Sequence, residues 1–497
     1  MAEKFQRSSG ILLHITSLPN RFGIGSMGAE AEEFVNFLAK SGQKLWQICP
    51  LGPTGYGDSP YQVYSSFAGN PLLIDLDSLV QNHLLNKSDL EPAPEFNAQY
   101  VEYEKVCRFK DKMFRLAYDK FKKKIPQRFK VFLVNNAFWL EDYALFMALK
   151  GADNGKSWLQ WQPELKLRDK KALAEKKSEL TDEIRYQQFL QFIFCQQWQK
   201  LKEYTNEKGI KIIGDIPIYP ALDSADVWAF PQYYQFDKEH NPSAVSGCPP
   251  DDFSPTGQLW GNPLYNWEKL ESDEYSWWVA RFAYMLEMVD IIRIDHFLGF
   301  EHYWSVPFGS PTAENGVWKP GPGHKLFATV EKELGNLPLI AEDLGAITPA
   351  VERLRDDFNF PGMKILQFAF YDDDDNPYLP HNFTTNCVVY TGTHDNETSV
   401  GWYHNLPDHI KNNVRNYLSF LKFTDWEVGW KLIEAALDSV AVLAIAPLQD
   451  YIGLDNRARF NIPGTVGENW RWRYMPGVLT PQMAEAILRM VRKSKRL

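Results

Sequence analysis

Eight short apolar runs punctuate the chain: Gly10–Ile15, Lys44–Ile48, Ile210–Asp215, Asp290–Asp295, Leu339–Asp343, Met363–Phe370, Cys387–Tyr390 and Ala441–Leu448. Each has the length of a single strand. Several are rich in Ile and Val, the pattern of strands buried on both faces. Helical patterns separate many of them. Ala29–Lys40 opens on glutamates and closes near Gly42, and Tyr275–Met288 is a second. Alternation of this kind, repeated about eight times, predicts an α/β fold: a (β/α)8 TIM barrel with inserted subdomains, one elaborated domain over 1–497.

One interval breaks the rhythm. The stretch from Ile48 to Ile210 far exceeds what one crossover needs. Within it Tyr103, Val106, Phe109, Met113, Leu116, Ala117 and Phe121 recur at helical spacing, and Gln187–Leu201 does the same. A helical insertion over roughly 82–186 is expected, with the basic Lys122–Lys124 as a solvated helix end. A second stretch, Tyr219–Trp267, is rich in Pro, Gly, Asp and aromatics. It reads as a long loop covering the barrel mouth.

Composition narrows the partners. Apolar content is 44% and charged content 23%, an ordinary soluble balance. The net charge of −10 disfavours nucleic acid. The five cysteines, Cys49, Cys107, Cys195, Cys248 and Cys387, are odd in number and form no C-x-x-C. They read as reduced thiols of a cytoplasmic protein. The polar Met1–Ser9 segment and the short run after it offer no signal peptide or membrane span. Aromatic content of 14% slightly favours a sugar binder, because flat rings suit sugar faces.

Gly23-x-Gly25-x-x-Gly28 has dinucleotide spacing, but its glycines begin well past the strand end and the next strand ends without an acid. Gly151–Ser157 resembles a P-loop one residue short and follows a helical pattern. Asp372–Asp375 lacks the alternation and glycine of a calcium loop. No cofactor and no metal is expected.

The informative polar residues end the apolar runs, where barrel enzymes keep their chemistry. Run three ends at Asp215, run four at Arg293-Ile-Asp295-His296, and run five at Glu342-Asp343. After run seven comes Thr393-His394-Asp395-Asn396. Arg293 and Asp295 are two apart on a strand and so point the same way. Arg293 can therefore keep Asp295 ionised, while the charge of Asp295 raises the pKa of Glu342 on the adjacent strand. One ionised and one protonated carboxyl is what a retaining glycosidase needs, about 5–5.5 Å apart. Buried ion pairs would explain any one of these residues. Carboxylates at four strand ends point to catalysis, and the scarcity of clustered His disfavours a metal site.

Ile292–His296, Ile340–Asp343 and Thr393–Asn396 resemble the catalytic blocks of the α-amylase clan. More specifically, the chain resembles the 4-α-glucanotransferases of the amylomaltase, or disproportionating-enzyme, type. Gly52–Gln62, Gly214–Tyr219, Pro249–Ser254 with Gly257–Tyr265, and Asn461–Arg473 match as well, so the resemblance covers essentially the whole chain. It implies Asp295 as nucleophile, Glu342 as acid/base and Asp395 as stabiliser of the distorted sugar. It implies that Arg293, His394 and Asp215 bind at the cleavage point, and that Ser59, Tyr61, Gln258, Trp260, Asn396 and Asn469 contact flanking glucoses. Asp343 is taken with the substrate-binding set, and Tyr56 matches a tyrosine linked to a second glucan site. Asp252 and Pro220 depart from the family pattern and put acceptor preference in doubt. The implied substrates are α-1,4-glucans, such as maltooligosaccharides or segments of starch or glycogen. An α-amylase-type hydrolase and a non-catalytic glucan-binding barrel are the rival readings. Product ladders would exclude the first, and the intact Asp295, Glu342 and Asp395 speak against the second.

Overall fold

The structure, a computed structural model, describes residues 5–250, 254–371, 374–418 and 427–497. Asp252 and Asp372 lie outside them. Eight parallel strands build the barrel: β1 (Ser8–Leu12), β2 (Leu45–Gln47), β3 (Lys211–Pro217), β6 (Ile291–Asp295), β9 (Leu339–Ala341), β10 (Gly362–Ile365), β11 (Cys387–Tyr390) and β12 (Leu443–Pro447). They run in the order β10-β11-β12-β1-β2-β3-β6-β9. Each of the eight apolar runs overlaps one of these strands. Strands β11 and β12 are buried at every residue, as strands covered on both faces must be.

The seam between β9 and β10 is closed partly by a side chain. Ala341 N donates to Pro361 O at 3.0 Å, and one residue pair further on Met363 N donates to the Asp343 carboxylate at 2.7 Å. A Cβ on Gly362 would sit 2.3 Å from that carboxylate, so only glycine fits there. The sixth run is strand only to Ile365; Leu366–Phe368 turns into a 3-10 helix. Apolar content alone does not separate the two conformations.

Between β2 and β3 the chain is largely helical, with helices Tyr103–Phe121, Gln127–Asn135, Ala137–Ala152 and Thr181–Glu207. The last of these runs across the expected limit at 186. Its far half belongs to the barrel's helical shell, where Tyr204 donates to Asn36 on the helix Ala29–Lys40. Its near half packs Phe189 and Phe192 against Phe121 and Phe129. One continuous apolar core therefore joins the insertion to the barrel.

The Tyr219–Trp267 stretch is not simply a loop. It carries β4 (Ala244–Cys248) and β5 (Gln258–Pro263), which join β7 (His302–Pro307) and β8 (Val317–Pro320) in an antiparallel sheet ordered β5-β4-β7-β8. These strands are short and interrupted by Gly and Pro, which hides their alternation from the sequence. Among the described residues no helix is long and apolar enough to cross a membrane.

Candidate active site

Strand register brings the expected residues together. Asp215 on β3 lies opposite Arg293 on β6, and Ile294 lies opposite Ala341 on β9. One step further along, Asp295 comes beside Glu342. Nη1 of Arg293 donates to both Asp215 oxygens, at 2.8 and 2.7 Å, and to Oδ1 of Asp295 at 2.9 Å. Burial opposes the Arg293 cation, but the Asp215 and Asp295 carboxylates overcome it and hold it protonated well above its usual value. Asp215 also accepts from the Tyr61 hydroxyl at 2.8 Å and is nearly sealed from solvent, whereas the Asp295 side chain remains 30% exposed. Of the two carboxylates that share Arg293, Asp295 is the one open to a substrate.

Glu342 is held by main chain. Its Oε2 accepts from His296 N at 2.6 Å and its Oε1 from Leu344 N at 3.2 Å. His296 has φ of +54°, a strained left-handed conformation for a residue with a Cβ, and this geometry turns its N–H onto Glu342. Burial first, and the Asp295 charge second, push the Glu342 carboxyl well above the ordinary range. The sequence reading invoked the neighbouring charge; desolvation is the larger cause. Burial also drives the His296 imidazole down to about 4, so the ring beside the acid is neutral.

A third carboxylate completes the mouth. Asp395 lies 3.3 Å from His394 Nε2, and His394 Nδ1 lies 3.3 Å from the Tyr61 hydroxyl. The Tyr61 and His394 rings stack at 4.9 Å. Burial works against the ionised form of Asp395, but His394 and Asn461 outweigh it and bring its pKa to about 2. Burial likewise opposes protonation of His394, and Asp395 reverses that, raising the imidazole above its ordinary value. Tyr61 thus links the Asp215–Arg293–Asp295 group to the His394–Asp395 pair.

Trp260 packs edge-on against His296 at 4.7 Å, with its Nε1 donating to Gln258 at 3.2 Å. Pro220 ties this strand to the barrel, its carbonyl accepting from Asn262 at 2.9 Å. Several of the expected residues also have partners within the protein or lie at the surface. Asp343 is spent on Arg355, at 2.6 Å, and on Met363 N; as the neighbour of Glu342 on extended chain it points the opposite way. It braces the barrel seam instead of lining the site. Asn396 accepts from Thr393 N and Oγ1, and Asn469 from Ile462 N, so both close their own loops. Ser59 accepts from Tyr61 N. Tyr56 is 75% exposed on a surface turn.

Two residues went unassigned in the sequence. Asn461 donates to Oδ1 of Asp395 at 2.7 Å, and Arg459 donates to the Asp395 carbonyl at 2.9 Å. Asn461 opens a motif block already noticed, but the contact joins residues 66 apart, and no local spacing reveals that. Among the described residues no cluster of three metal-ligating side chains occurs.

A carboxyl of raised pKa and an Arg-paired carboxylate at adjacent strand ends suit the chemistry of a retaining glycosidase. The 4-alpha-glucanotransferase model of glycoside hydrolase family 77 matches residues 13–479. The chain belongs to this family. It is 50% identical over 481 residues to the 4-alpha-glucanotransferase of Synechocystis sp., covering 95% of each chain. It is 47% identical over 500 residues to that of Thermus thermophilus, covering 99% of each. The amylomaltase of Streptococcus agalactiae, solved in complex with acarbose, superposes with a TM-score of 0.96 at 40% identity, covering 99% of this chain and all of that one. The more distant Corynebacterium glutamicum amylomaltase, at 19% identity, shares the fold with a TM-score of 0.77.

Proposed function

We propose that this 4-α-glucanotransferase moves α-1,4-glucan segments by double displacement, with Asp295 as nucleophile and Glu342 as acid/base. The supporting observation is the contrast between two half-buried carboxyls: Glu342 has no cation bound to it and is raised, whereas Asp295 is paired with Arg293. Asp295 attacks the anomeric carbon while Glu342 gives its proton to the departing glycosidic oxygen, and a covalent glycosyl-enzyme forms. Glu342, now a base, takes the proton of an acceptor 4-hydroxyl, which displaces Asp295. Asp395, kept ionised by His394 and Asn461, steadies the positive charge that develops at the ring in the transition state of each displacement.

Transfer exceeds hydrolysis when water is excluded and the acceptor is held. We assign that task to the Gly247–Tyr265 segment, whose Gln258 and Trp260 reach the rim beside His296. The helical insertion over about 82–186 serves as a buttress for the barrel wall. Reduced thiols and the absence of a membrane-crossing helix among the described residues agree with a cytoplasmic setting. Incubation with maltotriose followed by chromatography tests the assignment. A ladder of longer and shorter glucans is expected; release of reducing ends without longer products would make the chain a hydrolase.

A further inference from the structure

A groove of about 730 Å³ lies on the flank of the barrel, lined by other residues than those of the catalytic mouth. Its size falls in the range of small-ligand sites. One wall is a single stripe of the helix Ala29–Lys40, carrying Glu30, Glu33, Phe37 and Lys40. From Glu30 to Lys40 that stripe rises about 15 Å, at 1.5 Å per residue. Across from it stands Tyr474, only 6% exposed. Among the described residues its hydroxyl makes no hydrogen bond, and it is not sealed from solvent, so it is open to a ligand in the groove. Burial, and then the nearby Glu33 and Glu30 carboxylates, push its pKa up, so it faces the acidic end of the groove as a donor.

The chemistry of the walls restricts the ligand. Arg473 lines the groove, but its guanidinium is committed to the carbonyls of Leu18, Asn20 and Asn97, at 3.3, 2.6 and 3.0 Å. Arg21 is taken by Asp77. The acidic end therefore offers no open guanidinium to a phosphate or carboxylate. It offers the Glu33 oxygens, the one Glu30 oxygen that Asn20 leaves free, the Tyr474 hydroxyl and the Asn36 amide, whose oxygen is occupied by Tyr204. Phe37 and Phe96 supply apolar surface between them. Carboxylate and amide groups around an aromatic floor match a neutral, hydroxyl-rich chain with apolar sugar faces.

We propose that this flank groove is an auxiliary binding site for a segment of a long α-glucan, separate from the catalytic mouth. The proposal rests on the glucanotransferase reading of the mouth. A chain held here and in the mouth at once gains through effective concentration, so only long glucans benefit.

The test compares two substrates, maltotriose and amylose, in the wild type, Tyr474→Phe and Glu33→Ala. Glu33 is exposed, so its replacement spares the core. Both variants are expected to keep maltotriose disproportionation, and each to raise the half-saturating amylose concentration by about fivefold, the worth of one or two hydrogen bonds. Unchanged kinetics on amylose, or equal losses on both substrates, would overturn the groove assignment. A wild type that fails to disproportionate maltotriose would instead overturn the reading of the mouth.

Discussion

Nη1 of Arg293 stands 2.9 Å from Oδ1 of Asp295, and the same nitrogen bridges to Asp215. One buried cation thereby serves two carboxylates, and only Asp295 has a free side toward the mouth. Replacing Arg293 by Gln leaves Asp215 buried beside a second acid with no counter-charge. Breaking a buried pair in this way costs about 3–5 kcal/mol. Arg293→Gln is therefore expected to unfold at much lower urea concentration and to lose nearly all transfer. Wild-type stability in that variant would contradict the shared-cation account.

Glu342 carries a stability cost with a definite sign. Its folded pKa lies well above the ordinary 4.5, so between those values the folded protein holds a proton that the unfolded chain releases. Stability contributed by this group accordingly falls as pH rises through that window. Glu342→Gln has no such proton to hold. It is expected to gain thermal stability relative to the wild type as pH climbs from about 4 to neutrality, while losing transfer by about 10²–10⁴-fold. Parallel melting curves across that range would show that Glu342 titrates normally.

Asn461 holds the third carboxylate. Its hydrogen bond to Asp395 is charge-assisted, and losing such a bond costs about 1.5–3 kcal/mol when buried. Asn461 is half-buried, but its bond to Asp395 lies on the exposed side, so Asn461→Ala is expected to lower kcat/KM by the smaller amount, about tenfold. The acid limb of the pH profile should also move up from the region set by the depressed Asp395, near 2. A loss without any change in the acid limb would assign Asn461 to substrate contact alone.

Much of this was legible in the chain. The eight barrel strands could be located because fully buried parallel strands are short apolar runs, and the carboxylates could be located because they terminate those runs. What stayed hidden depends on non-local contact. The sheet β5-β4-β7-β8 pairs segments on both sides of β6, and its glycines and prolines blur the alternation. Asp343 and Glu342 are adjacent in sequence, yet one braces the seam with Arg355 while the other faces the mouth. Likewise, the Asn396 and Asn469 side chains close their own turns, which residue type alone does not disclose.

Trp260 tests the exclusion of water. Its edge contact with His296 places an indole against the residue that aligns Glu342. Trp260→Ala is expected to lower total turnover and raise the hydrolytic share of what remains. Free glucose and new reducing ends, measured against total maltotriose cleaved, give that share. An unchanged ratio in a folded variant would reduce Trp260 to packing.

The most direct measurement is the identity of the glycosylated residue. Glu342→Gln treated with an α-maltotriosyl fluoride should form the glycosyl-enzyme, since fluoride departs without a proton from the acid, and should then break it down slowly because the base is gone. Proteolysis and mass spectrometry of the trapped protein would locate the sugar. The account predicts an ester on Asp295. An adduct on Asp215, Asp395 or any other residue, or fluoride release with inverted product and no adduct, would contradict it.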